Sequence, residues 1–207
     1  MAYKTALNSD LTIKHPAMRY HGGKWRLAKW VISHMPEHRK YVEPFGGAAG
    51  VLLQKEPAYC EVYNDLDSEV VNFFRVLRDP VLSQRLIDAC VLTPYARAEF
   101  ELAYEPANDP VELARRLVVR ASMGFGSAGA THHQELIEVL HSLKGMVMVC
   151  GYESELYEQA FKGWTKVSTT ARISAFRGTK TKTECMWLNP STTNASNLSL
   201  LLQGVAA

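Results

Sequence analysis

Three short strings near the start of the chain combine residue types that can hold a small polar ligand. The first is Arg19-Tyr20-His21-Gly22-Gly23-Lys24. Its two glycines let the backbone approach a ligand closely, and Lys24 supplies a positive donor beside them. The spacing is not that of a phosphate-binding loop, which needs four residues between its first Gly and a Gly-Lys-Ser/Thr end. On its own the string also reads as a surface turn before a helix. The second is Val42-Glu43-Pro44-Phe45-Gly46-Gly47-Ala48-Ala49-Gly50. A glycine turn that leaves a strand and enters a helix exposes backbone N–H groups, and its small residues make room for a nucleoside. The Gly-x-Gly-x-x-Gly dinucleotide pattern is absent, which disfavours a nicotinamide cofactor; a tight packing turn is the plainer alternative. The third is Tyr63-Asn64-Asp65-Leu66-Asp67. An acid roughly 20 residues past a glycine turn is well placed to accept hydrogen bonds from ribose hydroxyls. Asp65 suits that role, or a place at a helix start; Asp67 reads as a helix-start carboxylate favoured by the dipole.

The elements that must position these strings follow from periodicity. Leu27, Trp30, Val31 and His34 recur at helical spacing over 27–35, and Pro36 ends that helix. Tyr41 to Glu43 is a short strand, and a helix is expected from near Ala48 through Val51, Leu52 and Leu53. Tyr59 to Tyr63 reads as a second strand and Leu66 to Leu77 as a helix. This alternation predicts an α/β chain with a parallel sheet. Val81 to Cys90, Tyr95 to Tyr104 and Pro110 to Ser122 look helical, and the last carries Arg115, Arg116 and Arg120 as a basic stripe. Those arginines suit either a solvated helix face or phosphate contacts, which would make binding salt-dependent. Met123 to Ala130 is glycine-rich and reads as a loop. Thr131 can cap a helix from His132 to Leu143. His132 and His133 invite a catalytic reading, but a helix start on a solvated face accounts for them. Gly145 to Cys150 is a continuous apolar run, as for a strand buried on both faces. Glu153 to Phe161 reads as helical. Trp164 to Ile173 and Thr183 to Leu188 flank a Gly-Thr-Lys-Thr-Lys turn as a closing hairpin. The segment past Pro190 is assigned no role.

Composition narrows the class. The 207 residues are 47% hydrophobic, enough for one sizeable core. A net charge of +2 permits a nucleic-acid partner without arguing for one. Cys60, Cys90, Cys150 and Cys185 form no Cys-x-x-Cys pair, so neither a zinc site nor a disulfide framework follows, and reduced thiols are expected. The first residues lack the apolar core of a signal peptide, and no run approaches the ~20 apolar residues of a membrane helix. The expected setting is cytoplasmic, with no membrane and no metal.

The three strings in this order resemble the Dam-type, D12 class DNA adenine-N6 methyltransferases. Further stretches share the likeness: Leu92-Thr93-Pro94-Tyr95 with Phe100, the run Arg115 to Arg120, Met123-Gly124-Phe125-Gly126, His141 to Val147, Gly151 to Tyr157, Thr183-Glu184 and Trp187-Leu188-Asn189-Pro190. The resemblance implies a Rossmann-like, S-adenosylmethionine-dependent methyltransferase sheet with a truncated helical insertion. It places a methyltransferase domain over 17–190, with 81–131 the remnant helical target-recognition insertion and 191–207 a tail. It implies S-adenosylmethionine as cofactor and adenine N6 in double-stranded DNA as substrate. Carried over by motif, Tyr20, Gly22, Gly23 and Lys24 meet the cofactor. Phe45, Gly46 and Gly47 line its pocket, and Asp65 holds the ribose.

One departure bears on activity. The adenine amino lone pair is delocalised into its ring and is a poor nucleophile. The family answers this with an Asp-Pro-Pro-Tyr/Phe type motif, whose side-chain and proline oxygens accept the amino N–H bonds while the aromatic ring stacks on the flipped base. No such string occurs in the chain. Glu56-Pro57-Ala58-Tyr59, Thr93-Pro94-Tyr95 and Asn189-Pro190-Ser191 are the nearest, and each lacks the paired prolines. The chain passes from Gly129-Ala130-Thr131 directly to His132-His133, where the family carries a long block with much of its target-recognition segment, a central strand and the catalytic motif. Natural deletion, removal by design and a segment missing from the sequence as read all leave the same residues. Without the block no residue here is assigned a catalytic role, and the sheet lacks a strand beside the cofactor strand. The implied function is adenine-N6 methylation by descent; the alternative is a catalytically inactive cofactor- or DNA-binding remnant.

Overall fold

The structure, a computed structural model, describes residues 13–124, 133–175 and 178–205; side chains at 133–134, 172–180 and 198–205 are not among those described. The chain divides into two units, Met1–Lys29 with Arg39–Ala128, and Trp30–His38 with Gly129–Ala207. A short helix, α1 (Ala28–Ile32), comes first. It is briefer than its periodicity suggests. Past Ile32 the His34 N–H bonds the Val31 carbonyl, and the His34 ring bonds the Trp30 carbonyl at 2.8 Å, so the helical ladder stops before Pro36.

In the first unit, β1 (Lys40–Glu43) and β2 (Cys60–Tyr63) pair in parallel, with Val42 opposite Val62 and Glu43 opposite Tyr63. The helix expected from Ala48 does not form. Residues 47–54 are a series of turns with mixed three- and four-residue hydrogen bonds. Ala49 adopts a positive φ of 52°, incompatible with an α-helix. Four helices follow: α2 (Ser68–Leu77), α3 (Pro80–Leu92), α4 (Arg97–Leu102) and α5 (Pro110–Met123). The carboxylates of Asp67, Asp79 and Asp109 cap α2, α3 and α5 by accepting N–H groups of the first turn, and Pro80 and Pro110 open two of them. Asp67 is therefore the helix-start acid expected. Val70, Phe73, Val76, Leu86, Val111, Ala114 and Leu117 form this unit's core with Met18 and Ala48.

The arginine stripe of α5 is neither a solvated face nor free for phosphate. Arg115 and Arg116 are each only 8% exposed. α5 packs among α2, α3 and α4, so its polar flank lies between helices and finds partners there. Arg115 donates to Glu112 at 2.7 Å, to Glu99 at 2.8 Å and to Thr93 at 3.0 Å. Arg116 donates to Glu112 at 2.7 Å and to the Glu105 carbonyl at 2.6 Å. Arg120 donates to Glu69 and the Ala103 carbonyl.

The second unit contains α6 (His133–Ser142), β3 (Met148–Tyr152), α7 (Glu155–Ala160), β4 (Thr165–Ala175), β5 (Gly178–Leu188) and α8 (Pro190–Val205). The strand order is β3-β5-β4, antiparallel throughout. The closing hairpin is thus present, although Gly178 to Lys182 belong to β5 rather than to a turn. β3 starts later than its apolar run and is only half-buried; among the described residues it is paired on one side alone, by β5. Phe161 and Trp187 centre the core, with Phe161 4.7 Å from the Trp164 ring. The segment past Pro190 is a helix. Its first turn is tied to the sheet: the Asn189 side-chain oxygen accepts from the Val147 and Thr192 N–H groups, while the Thr192 hydroxyl donates to the Val147 carbonyl at 3.0 Å. Thr131, His132 and most of the expected glycine-rich loop lie outside the described residues, as does the side chain of His133. No helix of the described residues is long and apolar enough to cross a membrane.

Candidate functional site

The three glycine- and acid-bearing strings meet at the C-terminal ends of β1 and β2. Parallel pairing brings both strand ends to the same side, so residues 44–50 and 64–67 leave the sheet as neighbours. The Gly46 N–H donates to the Asn64 carbonyl at 2.9 Å, and Asn64 Nδ2 donates to the Pro44 carbonyl at 3.0 Å. The Gly47 N–H donates to Asp65 Oδ2 at 2.8 Å, and the Asp67 N–H donates to Asp65 Oδ1 at 3.0 Å. Asp65 is therefore a loop-holding residue first. A carboxylate has about four acceptor positions, so two remain after these bonds.

Aromatic rings occupy the space that the glycines leave. A Cβ on Gly46 would fall 2.1 Å from the Tyr63 ring, and one on Gly47 would fall 2.7 Å from the Tyr20 ring. Gly47 also has φ +48°, a backbone state costly for a side chain. The Tyr63 hydroxyl donates to the Gly47 carbonyl at 2.6 Å. The first string closes on itself: the Gly23 N–H donates to the Tyr20 carbonyl at 3.1 Å, and Lys24 Nζ donates to the Gly22 carbonyl at 3.1 Å. Its end abuts the second string, where a Cβ on Gly50 would lie 2.8 Å from the Trp25 nitrogen. Phe45 is 59% exposed, so its ring face is open to a ligand.

Burial raises the pKa of Tyr20, and the nearby Asp65 and Asp67 charges add to the rise. Burial likewise lifts Tyr63, again helped by Asp65. Both phenols stay neutral donors near neutral pH. Glu43 is raised by burial against the opposing bonds from Tyr41 and the Leu52 N–H. Its Oε1 accepts from the Tyr41 hydroxyl at 2.7 Å and from the Leu52 N–H at 2.9 Å, which folds the second string back onto β1; its buried Oε2 has no hydrogen-bond partner among the described residues.

Tyr20, Gly46, Gly47 and Asp65 thus come together, with Phe45 open beside them and Gly22, Gly23 and Lys24 in an adjoining turn. Tyr63 and Glu43 were missed. Their roles depend on the Glu43–Tyr63 register, which no local motif announces. Of the near-matches to the absent proline motif, Asn189 is committed to holding the start of α8 and Thr93 to Arg115.

Residues 20–120 match the family model of the D12 class N6 adenine-specific DNA methyltransferases. Among characterised relatives, the DNA adenine methylases of two Vibrio cholerae serotype O1 strains, one Classical Ogawa and one El Tor Inaba, are each 35% identical to it over 63 residues. That match covers 30% of this chain and 22% of each relative.

Proposed function

We propose that the cluster at the ends of β1 and β2 is an S-adenosylmethionine pocket inherited from a DNA adenine-N6 methyltransferase. The observation that carries this reading is Asp65 bonded to Gly47 beside the Tyr20 ring, at the strand ends where the family match lies. The residues fit the cofactor. Asp65 retains two acceptor positions for ribose hydroxyls, Phe45 offers an open ring, and the glycine turns keep side chains out of the way. In this reading Tyr20 and Lys24 contact the cofactor, Gly22 and Gly23 let the backbone approach it, and Phe45, Gly46 and Gly47 line its pocket. When bound, the cofactor supplies an electrophilic methyl group for adenine N6 in duplex DNA.

The Rossmann-like fold is part of the same proposal. What supports it is the parallel pairing of β1 with β2, the one parallel ladder among the described residues. Residues 17–190 are the methyltransferase domain, with 81–131 the remainder of its insertion. No Asp/Asn-Pro-Pro-aromatic string is available to hold the target amino group. Cofactor or DNA binding without turnover is therefore the expected behaviour of this chain.

Two measurements decide it. Calorimetric titration with S-adenosylmethionine should give saturable heat that Asp65→Ala removes; a folded chain giving no heat would end the pocket assignment. Labelled cofactor with unmodified duplex DNA should leave adenine unlabelled, and robust label on adenine would show that the chain supplies its own amino-holding groups.

A further inference from the structure

The first string of the pocket lies in a one-sided run of charge. Between Asp10 and Glu37 the sequence has no Asp or Glu, yet it has Lys14, Arg19, Lys24, Arg26 and Lys29. Those cations exceed the chain's net charge of +2, so the remainder of the chain is net acidic. Lys14, Arg19, Arg26 and Lys29 are exposed, and none has an ion pair or a side-chain hydrogen bond among the described residues. The arginines of α5 differ, because Glu69, Glu99 and Glu112 engage all three. Two anchors lay the basic run along the glycine turn after β1. The Tyr20 ring fills the space beside Gly47, and Gln54 Nε2 donates to the Trp25 carbonyl at 2.9 Å. Arg19 and Arg26 adjoin those anchors. The Leu27 N–H bonds the Lys24 carbonyl at 3.0 Å, so the chain is already turning as it enters α1. Arg26 and Lys29 are three residues apart there, a spacing that puts side chains on one side of a helical turn. The acids nearest Tyr20 are engaged: Asp65 accepts the Gly47 and Asp67 N–H groups, and Asp67 caps α2.

Lys and Arg are the side chains that neutralise nucleic-acid phosphates. We propose that the run from Lys14 to Lys29 is a docking surface for duplex DNA, held through its phosphates without regard to sequence, beside the pocket at the ends of β1 and β2. The proposal rests on the methyltransferase reading and adds where the duplex is held. Charge complementarity selects the partner, because these cations are exposed, lack carboxylate partners and belong to an otherwise acidic chain. Position selects the place. A base delivered to a methyl group in the pocket stays tied to its own phosphates, so the backbone must pass close to the pocket's rim.

The test is binding of a fluorescent duplex of about 20 base pairs to the full chain over a salt series. Each phosphate contact contributes about 0.9 to the slope of log affinity against log salt. The triple variant Arg19→Ala, Arg26→Ala, Lys29→Ala should lose about 2 to 3 in slope and at least about tenfold in affinity at low salt, equally for unrelated duplexes. Arg19→Lys, Arg26→Lys, Lys29→Arg keeps every charge and should keep the wild-type slope. Arg75→Ala, Arg78→Ala, Arg97→Ala removes the same charge from exposed positions on and after α2 and on α4, and should also keep it. A wild-type slope in the folded alanine variant overturns the docking surface while leaving the DNA reading intact. An equal loss in the variant at Arg75, Arg78 and Arg97 overturns it too, as an effect of bulk charge. No wild-type binding to any duplex overturns both, and S-adenosylmethionine heat measured on the same sample tells whether the pocket survives. Binding to single-stranded RNA or anionic vesicles through these cations, with none to duplex, also overturns it.

Discussion

Asp65 Oδ2 accepts the backbone N–H of Gly47 at 2.8 Å, across a sequence separation of eighteen residues. One carboxylate thereby fixes the glycine turn and keeps acceptor positions for a ligand. Asp65→Ala removes both, while Asp65→Asn can keep the bond to Gly47 through its amide oxygen. Losing the acceptor for a partly buried N–H costs about 1–3 kcal/mol. Asp65→Ala should lower the melting temperature and abolish S-adenosylmethionine heat; Asp65→Asn, which keeps one acceptor but sets its amide nitrogen against the Asp67 N–H, should melt between wild type and alanine yet bind at least about tenfold more weakly. Calorimetry beside a thermal melt separates these outcomes, and equal binding by all three proteins would remove Asp65 from the ligand site.

Gly46 and Tyr63 are coupled by contact. Gly46→Ala places a methyl group inside the Tyr63 ring, which must swing away and lose its bond to the Gly47 carbonyl. Overpacking of this kind costs about 1–3 kcal/mol. Tyr63→Leu removes the ring, so adding Gly46→Ala to it should cost much less than adding it to wild type. Denaturant unfolding of the four proteins measures the coupling, and additive losses would place the ring elsewhere.

Glu112 ties two buried guanidiniums to one carboxylate. The bond from Arg115 lowers its pKa most, with Arg116 assisting against some burial, from 4.5 to about 2. A carboxylate depressed on folding stabilises the fold above its unfolded pKa and loses that contribution as pH falls through the folded value. The helical layer should therefore weaken between about pH 4.5 and about pH 2. Glu112→Gln should be less stable at pH 7 by about 2 kcal/mol, because Arg115 and Arg116 lose their shared partner, and should show little further loss over that window. Circular dichroism melts at stepped pH would expose a mistake if the two proteins tracked each other throughout.

Much of this arrangement was legible in the residues. The glycine strings, the Asn64-Asp65 turn, the capping aspartates and the hairpin all depend on neighbours close in sequence, and they form where local chemistry puts them. What was not legible depends on packing. Arg115 and Arg116 have the spacing of an exposed stripe, and only the surrounding helices turn that flank inward. The helix expected at Ala48 has adequate propensity, but contact of Gly50 with the Trp25 backbone and the bond from Leu52 to Glu43 hold the segment in turns. The glycines themselves make room for Tyr63 and Tyr20, a requirement visible only once β2 lies beside β1.

Asn189 organises the second unit as Asp65 organises the first. Its side-chain oxygen accepts the Val147 and Thr192 N–H groups at 3.1 and 2.9 Å, and its amide donates to the Gly145 carbonyl at 2.8 Å. Asn189 is 5% exposed and Thr192 fully buried, so water cannot readily replace these bonds. Asn189→Ala leaves the Val147 and Thr192 N–H groups unsatisfied together and should cost about 2–4 kcal/mol, summing two such penalties. Asn189→Asp keeps the acceptor but loses the donation to Gly145, and its cost should fall between wild type and alanine. Hydrogen exchange should then accelerate at Val147 and along the first turn of α8, while the amides of Gly46 and Gly47, in the other unit, keep their wild-type protection. Uniform acceleration across both units would mean that the chain unfolds as one cooperative body.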